Sequence, residues 1–237
     1  MRRQRDFFRI AATWPDLIRS PKPAARHAFS RPGWHFRDFF WKREHGKVVD
    51  LPDMSVPPEN AIERLESFKV LLADSSKPVT DRAIGAAWVL HLVGDVHQPL
   101  HCSARVTTQE PQGDHGGNDF KLDSANQSLH HYWDTMIDKA VPRQSNETTR
   151  AYLLRAAGVI ETAHPKASLQ GELKPGKFED WARESLEQTQ AHLYPVSLKR
   201  NQAPSDSYRS KGTVIAMKRA ALSGYRLAAM LEEVLGQ

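Results

Sequence analysis

The chain has a single cysteine, Cys102, in 237 residues, so no internal disulfide can form and clusters of thiolate zinc ligands are excluded. It has no apolar run approaching the length needed to cross a bilayer. Residues 1–8 are basic at the start, but no apolar stretch follows, so they do not read as a complete signal peptide and none is expected in this chain. No repeat, low-complexity block or convincing strand alternation is found. Charge of one sign is also scarce: 33 Lys and Arg against 28 Asp and Glu leave +5, which assists an anionic substrate no better than it decorates a solvated surface. Much of that excess lies at Arg2, Arg3, Arg5, Lys199 and Arg200. With 40% hydrophobic and 26% charged residues the composition is globular, and the length suits one substantial core.

What the sequence does have is eleven histidines, placed in a pattern. The stretch 86–105 reads as an apolar helix in which His91 and Asp95, four apart, project from one face. Pro99 ends that helix and lets His101 swing back beside the pair. His130 and Asp134 repeat the spacing on a second helix, expected over 129–141. Either pair alone is a common structural arrangement of a histidine bonded to a carboxylate one turn away. Asp16, His35 and His101 bring the set to seven nitrogen and oxygen ligands without a thiolate, which suits zinc in a hydrolytic site. Further helices are expected over 1–18, 57–73, from Thr80 or Asp81 into the focal stretch, and over 146–163, 178–193 and 208–235. Turns are expected at 20–32, an extended aromatic piece at 33–41, and loops at 47–58 and 107–128. The fold expected is all-α, one domain over 1–237.

The segments Trp14-Pro15-Asp16, Trp34-His35-Phe36-Arg37-Asp38 and the run from Leu90 to His101 stand in a fixed order with Gly116-Gly117-Asn118, Leu129-His130, Trp133-Asp134 and the supporting Trp181–Ser185. In these the chain resembles the zinc-dependent single-strand-specific nucleases and 3′-nucleotidases, relatives of zinc phospholipase C. The resemblance implies a mainly helical bundle of that type, carrying three zinc ions and hydrolysing single-stranded DNA, RNA and 3′-phosphomonoesters through a metal-activated hydroxide. It implies one zinc on Asp16, His35, His91 and Asp95, a second on His101, His130 and Asp134, and Asp95 bridging to a third. The third is completed in the family by an N-terminal Trp and a nearby His. This sequence has neither, so it reads as a member lacking that segment, with two complete sites.

The resemblance further implies that Asp38 orients the attacking water, although an ordinary surface Asp fits its position equally well. Asn118 is expected to contact phosphate or to serve as a turn residue, and Phe36 to stack a base, while Phe39 and Trp41 pack in the core. His97, His115 and His131 match no ligand position and are expected at the surface or just behind the ligands, where His97 and His131 could donate to ligating carboxylates. Nucleic acid and nucleotides are the expected partners, a monomer the expected state, and a secreted or periplasmic location the one the family implies. Two alternatives stay open on these residues: a phospholipase C-like phosphodiesterase, and a zinc-stabilised helical protein without activity.

Overall fold

The computed structural model describes residues 2–19, 29–54, 58–123 and 127–236, with side chains in the first helix from Asp6 onward. Most of the expected turn at 20–32, and Pro57 at the head of the expected helix 57–73, lie outside the described residues.

The chain is mainly helical. Its centre is α3 (Val79–Asp95), in which Trp88, Val89, Leu92 and Val93 are all buried. A helix that is apolar nearly all round has to be surrounded. Helices α1 (Arg2–Leu17), α2 (Ala61–Ala73) and α8 (Asp206–Leu235) pack around it. The shared core joins Leu65, Leu72, Trp88, Leu92, Phe178, Trp181 and Met230, and burying each such side chain contributes roughly 1.5–3 kcal/mol. No side chain caps α3, which begins directly after Pro78 and not at Thr80 or Asp81. A cap does close α2: the Asn60 side chain accepts from the backbone N–H groups of Ile62 and Glu63.

A second core gathers Trp41, Leu100, Phe120, Leu129, Trp133, Tyr194 and Tyr208. The turn that follows α3 runs between the two cores. Helix α3 stops at Asp95, four residues before Pro99: Val96 makes the last four-residue bond, to Leu92, and the N–H groups of His97 and Gln98 turn back only three residues, to Gly94 and Asp95. Pro99 instead opens the 3-10 turn Pro99–Cys102, capped by the side chain of Gln98. The expected helix 129–141 is two, α4 (Leu129–Asp134) and α5 (Met136–Ala140), parted at Thr135. After α6 (Thr149–Ala163), α7 (Phe178–Gln188) continues as one π-helical turn, Thr189–Leu193. There Ser185 Oγ donates to the Val96 carbonyl at 2.6 Å and Thr189 Oγ1 to that of Pro99 at 2.9 Å, which seats the turn after α3.

The sequence pattern conceals one element. Strands β1 (Phe40–Glu44) and β2 (Lys47–Asp50) form an antiparallel hairpin, with β3 (Ala104–Arg105) parallel to β1 on its other edge. Residues 47–50 are therefore strand and not loop. Only Trp41 of the hairpin is buried, so alternation is missing. Its turn uses His45 and Gly46 at φ of 50° and 80°, the doubly left-handed turn that matches strand twist, without the usual Asn-Gly.

Behind the turn lies a buried charge network. Arg226 donates to the Leu173 and Glu172 carbonyls, to His97 Nε2 and to Glu184; Arg219 donates to the His97 and Trp181 carbonyls, Ser185 and Glu184. His97 is thus buried, its Nδ1–H donating to Val93 and its Nε2 accepting from Arg226. It is neither a surface residue nor a donor to ligating carboxylates: it lies two residues past the end of α3, and its ring is held by Val93 and Arg226. Burial disfavours the charge on Glu184, but Arg226 and Arg219 outweigh this and hold its carboxyl below the ordinary range. The stability it contributes is therefore complete above about pH 4.5 and is lost as pH falls further. Glu184→Gln leaves two buried guanidinium groups undercompensated and is expected to cost about 3 kcal/mol in a urea titration at pH 7. Its melting temperature should fall less steeply than that of the unmodified protein below pH 4.5. Parallel pH curves would contradict the assignment.

Candidate metal centre

Three segments, one of them α3 itself, supply the first group of donors. Asp16 follows Pro15 near the end of α1, His35 closes the 3-10 turn Pro32–His35, and His91 and Asp95 occupy successive turns of α3. His35 Nδ1 lies 2.9 Å from His91 Nε2 and 3.1 Å from Asp95 Oδ2, and His91 Nε2 lies 3.2 Å from the same oxygen. Asp16 Oδ1 stands 3.7 Å from His91 Nε2 and 3.9 Å from His35 Nδ1. Zinc–nitrogen bonds of about 2.0–2.1 Å set tetrahedral ligand edges of about 3.3 Å, which these separations bracket.

A second group faces the first. His101 Nε2 lies 3.8 Å from Asp134 Oδ1, and His130 Nε2 lies 3.7 Å from Asp134 Oδ2. The two rings stand 4.7 Å apart, centroid to centroid. Asp95 belongs to both neighbourhoods, since its Oδ1 lies 3.7 Å from His101 Nδ1.

The tautomers fit ligation. Nδ1 of His91 donates to the Ala12 carbonyl, that of His101 to His35 and that of His130 to Gly116, each at 2.8 Å. Each Nε2 lone pair is then free to face its cluster, the way ligating imidazoles are oriented. His35 is reversed: its Nδ1 faces inward, while its Nε2 is buried without a hydrogen-bond partner among the described residues. A buried donor left unpaired costs about 1–3 kcal/mol, and an inward-facing ligand nitrogen offers a reason to bear it. Both groups of donors therefore fit a divalent cation.

The charges respond to one another. Burial disfavours ionised Asp95, but His101, His35 and His91 outweigh it and hold the carboxyl far below its ordinary range. Burial also works against protonated His101, yet Asp95 and Asp134 push its pKa up to about 9. His130 is lowered, by burial first and then by the neighbouring charge on His101.

Two openings flank the clusters. A cleft of about 680 Å³ is lined by Asp16, Arg19, Asp95, His101, His130 and Asp134 among others. On the other side a pocket of about 200 Å³ holds Phe36, Asp38, His115 and Asn118 beside His101 and His130. Burial, then the charge of Asp114, pushes Asp38 up to about 6, close to working pH for a proton-accepting carboxylate. The Asn118 amide donates to the His115 carbonyl. Phe36 is half-buried, whereas Trp41 is core and Phe39 is packed under Arg37 and Arg183. His115 and His131 are exposed.

All seven expected ligands and the three other site residues thus come together around the two clusters. Gln98 was not among them. Its Nε2 donates to Asp134 Oδ1 at 2.8 Å while its Oε1 accepts from the Leu100 N–H. Its place just before Pro99, at the head of a turn between two ligands, was the available signal. Arg19, which lines both openings, lacked any.

A mainly helical chain with paired imidazole–carboxylate clusters beneath a cleft has the build of a metal-dependent hydrolase. The model of the S1/P1 nuclease family matches residues 2–236, and the chain belongs to that family. It is similar to nuclease S1 of Aspergillus oryzae (strain ATCC 42149 / RIB 40), 26% identical over 245 aligned positions that cover 95% of this chain and 78% of the relative. It is also similar to Endonuclease 5 of Arabidopsis thaliana, 29% identical over 168 positions, 61% of this chain and 48% of that protein. The chain is accordingly a nuclease, a hydrolase acting on ester bonds. Among the described residues no helix is long and apolar enough to cross a membrane.

The coupling through Asp95 is directly measurable. In metal-free Asp95→Asn, burial acts on His101 with less opposition, so its ring should titrate below the value near 9. An NMR titration of the histidine rings reads this, and an unchanged His101 would refute the coupling.

Proposed function

We propose that this nuclease cleaves phosphodiester bonds in single-stranded DNA and RNA, and 3′-phosphomonoesters, with zinc held by Asp16, His35, His91 and Asp95 in one cluster and His101, His130 and Asp134 in the other. The observation that carries the reading is the pair of donor groups, Asp16, His35 and His91 beside Asp95, and His101, His130 and Asp134, both of which contribute to the lining of an open cleft. Zinc, when bound, polarises a phosphoryl oxygen and acidifies nearby water.

The chain's own groups do the rest. Asp38, ionised above about pH 6, orients the attacking water and takes its proton. Arg19, exposed at the rim of both openings, attracts the anionic backbone. Phe36 offers a ring face to a base, and Asn118 an amide to a phosphate oxygen. The family assignment favours a nucleic acid over a lipid headgroup as substrate.

Elemental analysis after gel filtration should find about two zinc ions per chain, with His35→Ala and His130→Ala each losing about one. Asp38→Asn should keep both ions and lower kcat on single-stranded DNA by roughly 10²- to 10⁴-fold with little change in KM. A zinc-free protein that cleaves DNA, or an Asp38→Asn variant of full activity, would defeat the proposal.

A further inference from the structure

We propose that Asp114 positions the second ligand cluster, acting on His130 through the single peptide unit that joins Gly116 to Gly117. The assignment rests on the reading that His101, His130 and Asp134 hold zinc. Asp114 is fully buried, and its carboxylate accepts three hydrogen bonds. Oδ1 takes the backbone N–H groups of Arg105 at 3.0 Å and Gly117 at 3.2 Å; Oδ2 takes the Tyr194 hydroxyl at 2.6 Å. A carboxylate kept dry beside a cleft is costly, and full satisfaction of its oxygens only offsets that cost.

Its use follows from what lies at the other end of the same peptide. The N–H of Gly117 points to Asp114, and the carbonyl of Gly116 accepts the Nδ1 proton of His130 at 2.8 Å. In a planar trans peptide these two groups point in opposite directions, so fixing the N–H aims the carbonyl. Drawing on the N–H also enriches the carbonyl oxygen, which strengthens its hold on the imidazole proton and leaves Nε2 a better donor. The turn has no slack. Gly116 adopts φ +60°, and a Cβ there would stand 2.5 Å from the Leu100 carbonyl and 3.3 Å from His130 Nδ1. The peptide is wedged between the turn that carries His101 and the ring it orients.

Two readouts test this apart from turnover. In metal-free protein, the ring nitrogens of His130 should report one Nδ1–H tautomer by NMR; in Asp114→Ala they should report a mixture. In a chelator-competition titration, Asp114→Ala should weaken one zinc equivalent by about 10- to 100-fold and leave the other unchanged. Asp114→Asn, whose amide oxygen still accepts the Gly117 N–H, should restore it to within a few-fold. Equal weakening of both equivalents, unchanged affinity in Asp114→Ala, or an Asn variant as damaged as the Ala would overturn the assignment. If Asp114→Ala does not fold, Tyr194→Phe removes one of the three donors and carries the test, with a several-fold weakening expected and no change contradicting it. Should the unmodified protein bind no zinc, the proposed function fails and the tautomer of His130 alone decides the role of Asp114.

Discussion

Asp95 sits where an apolar helix ends, with one oxygen against His35 and His91 and the other toward His101. A carboxylate in that position has to be ionised to satisfy three imidazoles, and the imidazoles have to gain charge or a cation to tolerate it. The rest of the architecture supplies the rigidity this requires. Helix α3 is anchored through its buried residues Trp88, Val89, Leu92 and Val93, so that His91 and Asp95 keep their spacing. The turn after it is held by Ser185, Thr189 and Arg219, whose donors reach the carbonyls of Val96, Pro99 and His97.

Orientation of the ligands is backbone work. Three of the four imidazoles donate an Nδ1–H hydrogen bond to a carbonyl, and those carbonyls come from α1, from the turn at His35 and from the glycine turn at Gly116. Each ligand is thus aimed by an element other than its own, so the clusters assemble only when the tertiary fold does. Gln98 adds a side-chain version of the same device, tying Asp134 to the turn that carries His101.

The sequence discloses those parts of the site whose geometry is local. A spacing of four places His91 beside Asp95, and His130 beside Asp134, on any helix. The position of His101 depends only on a turn near Pro99, although the helix ends at Asp95 and Pro99 starts the next turn. Asp16 and His35 come from distant segments, and the family resemblance, not periodicity, brought them to the set. The hairpin at 40–50 stayed hidden because an almost wholly exposed ribbon carries no alternation. His97 escaped for a different reason: its partner Arg226 lies 129 residues away, and no local pattern marks a histidine that accepts from a buried arginine. Asp114 is likewise a turn residue in sequence and a buried carboxylate only in the folded chain.

Diffraction at the zinc absorption edge tests, without reliance on activity, the proposal that the two neighbouring groups of donors each hold zinc. Crystals of zinc-loaded protein should give one anomalous peak among Asp16, His35, His91 and Asp95 and a second among His101, His130 and Asp134, and Asp95→Asn should weaken the first most. A single peak away from these side chains, or two peaks of undiminished strength in Asp95→Asn, would contradict the account.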